Sequence, residues 1–281
     1  PNFNHCRPKK NITTKLQKEA QNLKGELISI ANSSDPYPTI EKDTGLTRKC
    51  LKILSQHNCK IQIITKSNLV TRDTDILQET QSTVTLTITT DNAQLAKQLE
   101  PNAPTPMQRL QAIQTLTQKD IPVCVRIDPI IPHLNDKPNT LIKTLATLGV
   151  KHITTSTYKT KQDNWKRFTQ TFPKLAKQLT PLYYTKGEAI SGYRYLQRTL
   201  RYQLLTTLKK QTEQAGMTFG TCREGFPQLN TTSCDGAEYC QRRIEPDFKL
   251  YSSSRHTAAA NNAPRIGAAQ SKLLLLSNRK K

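Results

Sequence analysis

Residues 61–91 read IQIITKSNLVTRDTDILQETQSTVTLTITTD. Ile61 to Thr65 is a β-branched run that closes on the polar Thr65-Lys66-Ser67, and Asp73 to Glu79 has room for a short helix. Val84 to Thr89 then alternates apolar residues with threonine and closes on Thr89-Thr90-Asp91. Branched side chains lose little in a pleated strand, so strand, polar turn, helix and strand follow one another within a single short stretch. That succession is the repeating unit of an α/β fold with parallel strands.

The same unit extends in both directions. Upstream, Leu27 to Ala31 reads as a strand, and Gly45 to Gln56 as a helix with Leu46, Cys50, Leu51 and Leu54 on one face. Downstream, Pro106 to Gln118 is helical through Leu110, Ile113 and Leu116, with Pro106 suited to a first helical turn. Val123 to Ile127 is the next strand, Asn139 to Leu148 the next helix, ended by Gly149, and His152 to Thr155 the strand after that. Periodicity fits a (β/α) barrel and an open doubly wound sheet equally. In both, ligand chemistry sits at the carboxyl ends of the strands. Those ends carry Asn32-Ser33-Ser34-Asp35-Pro36, Thr65-Lys66-Ser67, Thr89-Thr90-Asp91 and Asp128-Pro129. Hydroxyls, a lysine and carboxylates on one rim suit a ligand with an amine, a carboxylate and a ribose; turns are also polar for conformational reasons of their own.

Charge and composition bound the rest. Lys+Arg number 42 against 21 Asp+Glu, a net charge of +21, with 35% hydrophobic residues. No apolar run approaches the roughly 18 to 20 residues of a membrane helix, the longest near the end being Leu273 to Leu276, so no membrane partner is expected. Without a signal-peptide pattern the chain reads as cytoplasmic. The first residue is Pro1 rather than methionine, which points to a processed or truncated chain. The seven cysteines (Cys6, Cys50, Cys59, Cys124, Cys222, Cys234 and Cys240) are odd in number and form no dense disulfide framework. Every acidic residue lies at or before Asp247, whereas seven basic residues follow it. The stretch from Ser252 to Gln270 is rich in Ser, Ala and Asn and reads as disordered. The five histidines show no metal-ligand spacing, and Walker, GxGxxG and GxSxG motifs are absent.

Eight blocks then occur in order: Ser34-Asp35-Pro36-Tyr37-Pro38-Thr39-Ile40-Glu41, Gly45-Leu46-Thr47-Arg48, Ile64-Thr65-Lys66-Ser67, Arg72-Asp73, Thr87-Ile88-Thr89-Thr90, Leu99-Glu100-Pro101, Arg109-Leu110-Gln111-Ala112-Ile113, and Pro129-Ile130-Ile131-Pro132-His133-Leu134-Asn135-Asp136. In order and spacing, across about residues 25 to 156, they resemble the radical S-adenosylmethionine proteins related to spore photoproduct lyase. The resemblance implies a partial (β/α)6 TIM-type barrel with a mostly helical C-terminal extension. With the barrel signal fading beyond Thr160 and the charge shift near the end, the chain divides into a barrel (1–160, with its first strand and cluster loop missing), an extension (161–250) and a basic tail (251–281). The resemblance also implies a 4Fe-4S cluster on a Cys-x3-Cys-x2-Cys loop, S-adenosylmethionine bound at the open iron, a 5′-deoxyadenosyl radical, and an electron donor such as flavodoxin or ferredoxin. The chain lacks that motif, since Cys6 is the only cysteine before Cys50, and Pro1 to Lys10 resembles the segment just after the motif in relatives. The cluster ligands are therefore expected upstream of Pro1, and this chain alone is expected to be inactive.

Within the resemblance, Ser34 and Lys66 stand near the methionine end of the cofactor and Thr87 near its sugar, while Asp35 either caps a turn or touches ligand. Spore photoproduct lyase carries a hydrogen-donating cysteine where this chain has Asn32, so dedicated spore photoproduct repair is not expected. Beyond Thr160, Trp165, Phe168, Phe172, Leu175 and Leu179 follow helical spacing, as do Leu196, Leu200, Leu204 and Leu208 within Tyr193 to Lys210. Cys222, Cys234 and Cys240 are candidates for an auxiliary metal site, for buried thiols, or for a redox role. Two other functions compete: a basic barrel that binds nucleic acid through Lys and Arg, and a metabolic barrel enzyme with a phosphorylated substrate.

Overall fold

The computed structural model describes residues 6–30 and 34–240. The chain enters through helix α1 (Ile12–Ala20), then strand β1 (Leu27–Ile30), helices α2 (Glu41–Thr44) and α3 (Leu46–Gln56), and strand β2 (Lys60–Thr65). A tight turn over Asn68–Asp73 leads to α4 (Thr74–Glu79), β3 (Ser82–Thr87), α5 (Ala93–Leu99) and α6 (Pro106–Gln118). There follow β4 (Val123–Ile130), α7 (Asn139–Thr147), β5 (His152–Thr157), α8 (Gln162–Thr171) and α9 (Pro173–Thr180). A hairpin of β6 (Glu188–Ile190) and β7 (Tyr193–Tyr195), helix α10 (Arg198–Gln214) and β8 (Thr218–Thr221) complete the elements that shape the fold.

Six strands form one parallel sheet in the order β1-β2-β3-β4-β5-β8, with β1 and β8 at its two edges among the described residues. The order follows the chain, as expected of a barrel; a doubly wound sheet reverses direction part-way. The partial barrel with its helical extension is thus the architecture observed. The outward strand residues Ile28, Ile61, Ile63, Val84, Leu86, Val123, Val125, Ile153 and Phe219 form one core with Leu51, Leu54, Leu77, Ile113, Leu116, Leu141, Leu145, Leu205 and Leu208 of the helices. Thr105 and Gln108 close a reciprocal capping box at the start of α6, with Pro106 in the first turn as its missing N–H allows.

Three sequence readings need correction. Tyr193 to Tyr195 is strand, because it pairs antiparallel with Glu188–Ile190 about the Ser191-Gly192 turn, both residues of which have positive φ. The helix begins only at Arg198, whose N–H donates to Glu188 Oε1 at 2.6 Å. The helical spacing from Trp165 to Leu179 belongs to two helices broken at Pro173, whose ring removes the backbone donor there. The sixth strand of the sheet comes from beyond residue 160, so that segment contributes a strand to the barrel as well as helices around it. Asn32 and the basic tail 251–281 lie outside the described residues.

The inward face of the sheet is polar. Ser29, Gln62 and Thr83 share one register row, and Thr85, Cys124 and His152 share the next. Residues 233–240 run across this face as a strap. Asp235 C=O accepts from Gln62 Nε2 at 3.0 Å, Cys234 C=O accepts from Thr154 Oγ1 at 3.0 Å, and the Cys240 thiol donates to Ile61 C=O at 3.4 Å. Two glycines permit the contact. Gly236 has φ +71° and lies where a Cβ would meet Cys124 Sγ at 2.5 Å; on Gly220 a Cβ would meet the Cys234 carbonyl oxygen at 2.8 Å. Backbone cannot yield as a flexible side chain does, so Gly220→Ala is expected to cost about 1–3 kcal/mol. Urea denaturation measures it, and a variant as stable as wild type would mean that the strap does not hold this position.

Candidate functional site

The carboxyl ends of β1, β2 and β3 open onto a cleft of about 1590 Å³, lined among others by Cys6, Asp35, Lys66, Arg72, Glu100 and Pro104. Asp35 is the tie between two strand ends. Its Oδ1 accepts from Thr65 Oγ1 at 2.6 Å and from Tyr37 N–H at 2.9 Å, and its Oδ2 accepts from Lys66 N–H at 2.7 Å. Of the two roles open to it, turn-capping is the one these bonds describe. The backbone it fixes is that of Lys66.

Lys66 Nζ lies 2.9 Å from Glu100 Oε1, with the lysine side chain 43% exposed and the glutamate 9%. Glu100 also receives Arg109 NH1 at 2.7 Å and Thr89 Oγ1 at 2.9 Å. Burial alone would raise the Glu100 carboxyl; Lys66 and Arg109 more than offset it and hold the group below the usual glutamate range. Glu100 is therefore ionised and anchors Lys66 at the cleft edge. Behind it, buried Arg109 donates to Thr87 C=O at 2.8 Å and to Pro104 C=O at 2.8 Å, so the cleft wall and β3 are one hydrogen-bonded unit.

A second network stiffens the opposite wall. Buried Asp73 accepts from Tyr37 Oη at 3.0 Å, Arg48 NH1 at 2.9 Å and Arg72 Nε at 2.9 Å. Glu41 accepts from Thr47 N–H and Arg72 NH2 at 2.9 and 2.8 Å. Burial first, and the Asp73 charge second, push the Tyr37 phenol well above its ordinary range, so it serves as a neutral donor.

Deeper in the mouth, Thr87, Arg126 and Thr154 share a register row on the inward face. Arg126 NH2 meets Asp128 Oδ2 at 2.8 Å, and Asp128 Oδ1 accepts from Ser156 Oγ at 2.6 Å. Burial works against the Arg126 charge, but Asp128 and the Cys222 thiol outweigh it and raise the guanidinium further. The far side of the mouth is aromatic and basic. Thr160 and Arg194 exchange backbone hydrogen bonds at 2.9 and 2.8 Å, which pins the hairpin to the chain after β5. Lys161 and Arg223 approach the Tyr193 ring at 5.4 and 5.9 Å, and Arg194 approaches the half-exposed Tyr184 at 5.8 Å.

The four expected cofactor residues are thus distributed. Asp35 and Lys66 line one cleft; Ser34 is exposed beside it and does not line it; Thr87 sits on the inward face of β3. Cys222, Cys234 and Cys240 were candidates for a metal site, for buried thiols or for a redox role. Cys240 is held under β2, and among the described residues no group of three or more His, Cys, Asp or Glu side chains is placed to hold a metal ion. Sequence placed Glu100 in a motif block and Asp128 at a strand end without giving either a role, and it did not single out Arg126. A lone arginine inside the apolar run Val123 to Ile127 was the signal for that residue. No helix among the described residues is long and apolar enough to cross a membrane.

No protein-family model matches the chain. The uncharacterized protein MJ0683 of Methanocaldococcus jannaschii is 39% identical over 117 residues, which is 41% of this chain and 44% of that protein. The uncharacterized protein ORF301 of Acidianus two-tailed virus is 30% identical over 138 residues, 46% of this chain and 45% of that one. The chain therefore matches less than half the length of these relatives. Among solved structures, a point mutant of spore photoproduct lyase superposes with a TM-score of 0.58 at 17% identity, covering 75% of this chain and 65% of the other. The fold is that of spore photoproduct lyase. A spore photoproduct lyase mutant with bound AdoMet and dinucleoside spore photoproduct gives 0.54 at 16%, covering 73% and 62%. Streptococcus suis SuiB bound to S-adenosylmethionine gives 0.50 at 13%, covering 81% and 47%.

Proposed function

We propose that this chain is the cofactor-binding barrel of a radical S-adenosylmethionine enzyme in the spore photoproduct lyase-like group. The observation that carries the reading is the anchored Lys66 ammonium at the edge of a large cleft over the strand ends, in a fold whose solved neighbours include S-adenosylmethionine complexes. Lys66 would offer its charge to the cofactor's carboxylate, Ser34 a hydroxyl at the rim, and Thr87 a hydroxyl from the inward face. Asp35 and Glu100 hold the Lys66 backbone and side chain in place. The 4Fe-4S cluster does not fit the residues present, because neither the sequence motif nor a described ligand group exists for it; its ligands are proposed to lie upstream of Pro1. A cluster of this kind would supply the one electron that breaks the S–C5′ bond of the cofactor, leaving methionine and a 5′-deoxyadenosyl radical.

For the substrate, the wall of Lys161, Tyr184, Tyr193, Arg194 and Arg223 favours a nucleic acid, whose phosphates meet cations while its bases stack on rings. The same wall and the net charge of +21 support the second reading, a nucleic-acid-binding barrel without radical chemistry. Anaerobic reconstitution with iron and sulfide separates them. Residues 1–281 alone are expected to give no S-adenosylmethionine-responsive 4Fe-4S signal, and a protein extended through the upstream segment is expected to give one. Failure of the extended protein leaves the binding-only reading. A responsive cluster on residues 1–281 would make this chain's own cysteines the ligands and overturn the upstream assignment.

A further inference from the structure

Cys222 and Cys234 reach the barrel mouth from two separate segments. The ladder of β8 continues one residue past Thr221, with Cys222 N–H donating to Thr155 C=O at 2.9 Å. Alternation then sends the Cys222 side chain to the inward face, which Gly220 shares. Gly220 is also where the strap touches β8: a Cβ there would lie 2.8 Å from the Cys234 carbonyl oxygen and 2.9 Å from its Cα. Thr154 Oγ1 holds the same carbonyl at 3.0 Å. Cys234 is thereby fixed against the strand that ends in Cys222, and the two thiols and Arg126 lie close enough to interact electrostatically. Cys234 is exposed and Cys222 half-buried, so a small reagent reaches the pair. Burial raises the Cys234 thiol as well, and it pushes the more deeply buried Cys240 up to about 12 and Cys124 higher still, so what sets Cys222 and Cys234 apart from these two is that they are accessible.

We propose that Cys222 and Cys234 form a thiol–disulfide site at the barrel mouth, oxidised by exchange with a low-molecular-weight disulfide such as glutathione disulfide. The exposed Cys234 thiolate attacks one sulfur of that disulfide; the S–S bond breaks, and one glutathione leaves as a thiolate that takes a proton. Cys222, as thiolate, then attacks the Cys234 sulfur of the mixed disulfide and expels the second glutathione. Two protein thiols are oxidised and one disulfide is reduced to two thiols. Arg126 beside Cys222 supplies positive charge at the sulfur that carries negative charge in this second step. The product ties the strap to β8 covalently, fixing the floor beneath Arg126 and Thr154.

Incubation of the whole chain with glutathione disulfide, followed by alkylation and peptide mapping, tests the proposal. Wild type is expected to lose two alkylatable thiols and to yield one cross-linked peptide joining Cys222 to Cys234, reversed by dithiothreitol. Cys222→Ser is expected to keep a glutathione adduct on Cys234 that wild type resolves. A lasting adduct on wild-type Cys234, a cross-link from either cysteine to Cys6, or two thiols that stay alkylatable would each overturn it. Circular dichroism of Cys222→Ser shows that a changed outcome does not come from unfolding.

Discussion

Glu224→Ala is expected to lower the free energy of unfolding by about 3–5 kcal/mol, the typical loss when one member of a buried ion cluster is removed and its partners stay. Glu224 is fully buried as a side chain and meets Lys159 Nζ at 2.6 Å and Arg201 NH1 at 3.1 Å. It also accepts from Thr157 N–H at 2.8 Å and Thr157 Oγ1 at 3.0 Å. Alanine would strand two cations in a low-dielectric pocket where water does not replace the carboxylate. Arg201 keeps Glu188 at 3.2 Å and the rings of Tyr195 and Phe226, but Lys159 has no other carboxylate within ion-pair distance among the described residues. Glu224→Gln keeps an acceptor for Thr157 and still lacks the charge, so it should recover only part of the loss. The control is Arg167→Ala, whose pair with Asp163 is more than half exposed on both sides, with an expected change within about 0.5 kcal/mol. Urea denaturation of the three variants should move the midpoint for Glu224 with the slope unchanged. A Glu224→Ala protein no less stable than the Arg167 control would mean that the cluster is hydrated.

This cluster also shows where sequence reading stops. Thr157 ends β5 and Lys159 follows it, Glu188 opens the hairpin and Arg201 lies in the helix after it, and Glu224 follows β8, so the ions converge only once three distant segments are packed. The hairpin itself was hidden because Tyr193, Leu196 and Leu200 satisfy a helical period as well as a strand does; only Ser191-Gly192 marked the turn. Strand β8 is four residues long and contains a glycine, too little for any period to register. The strands before it were legible because each outward position carries a branched side chain, and the polar lumen was written in the alternating threonines of Ser82–Thr87. The eight motif blocks were legible for a different reason. Asp35 binds Thr65 and Lys66, Asp73 binds Tyr37 and Arg48, Glu100 binds Lys66 and Arg109, and Asn135 Nδ2 donates to Thr89 C=O at 2.8 Å. The blocks are the two halves of hydrogen bonds that hold the barrel rim. What they omit is which carboxylate holds Lys66, since that partner lies 34 positions away and no local pattern announces it.

That partner decides the last expected result. Lys66→Ala should leave unfolding within about 0.5–1 kcal/mol of wild type, because the pair is exposed on the lysine side. Glu100 also retains Arg109 at 2.7 Å and Thr89 at 2.9 Å after the change. The loss should fall on S-adenosylmethionine affinity. A charge-assisted contact to a carboxylate is worth roughly 1.5–3 kcal/mol, so binding should weaken by about ten- to a hundredfold. Lys66→Arg should restore charge without restoring affinity, because a planar guanidinium beside Glu100 would spend its fork on that carboxylate rather than present a compact charge to the cleft. Calorimetric titration of S-adenosylmethionine into the extended, cluster-loaded protein and both variants reads the effect directly. If Lys66→Ala binds as wild type does, the lysine serves Glu100 alone, and the cofactor's carboxylate has to be met elsewhere on the rim.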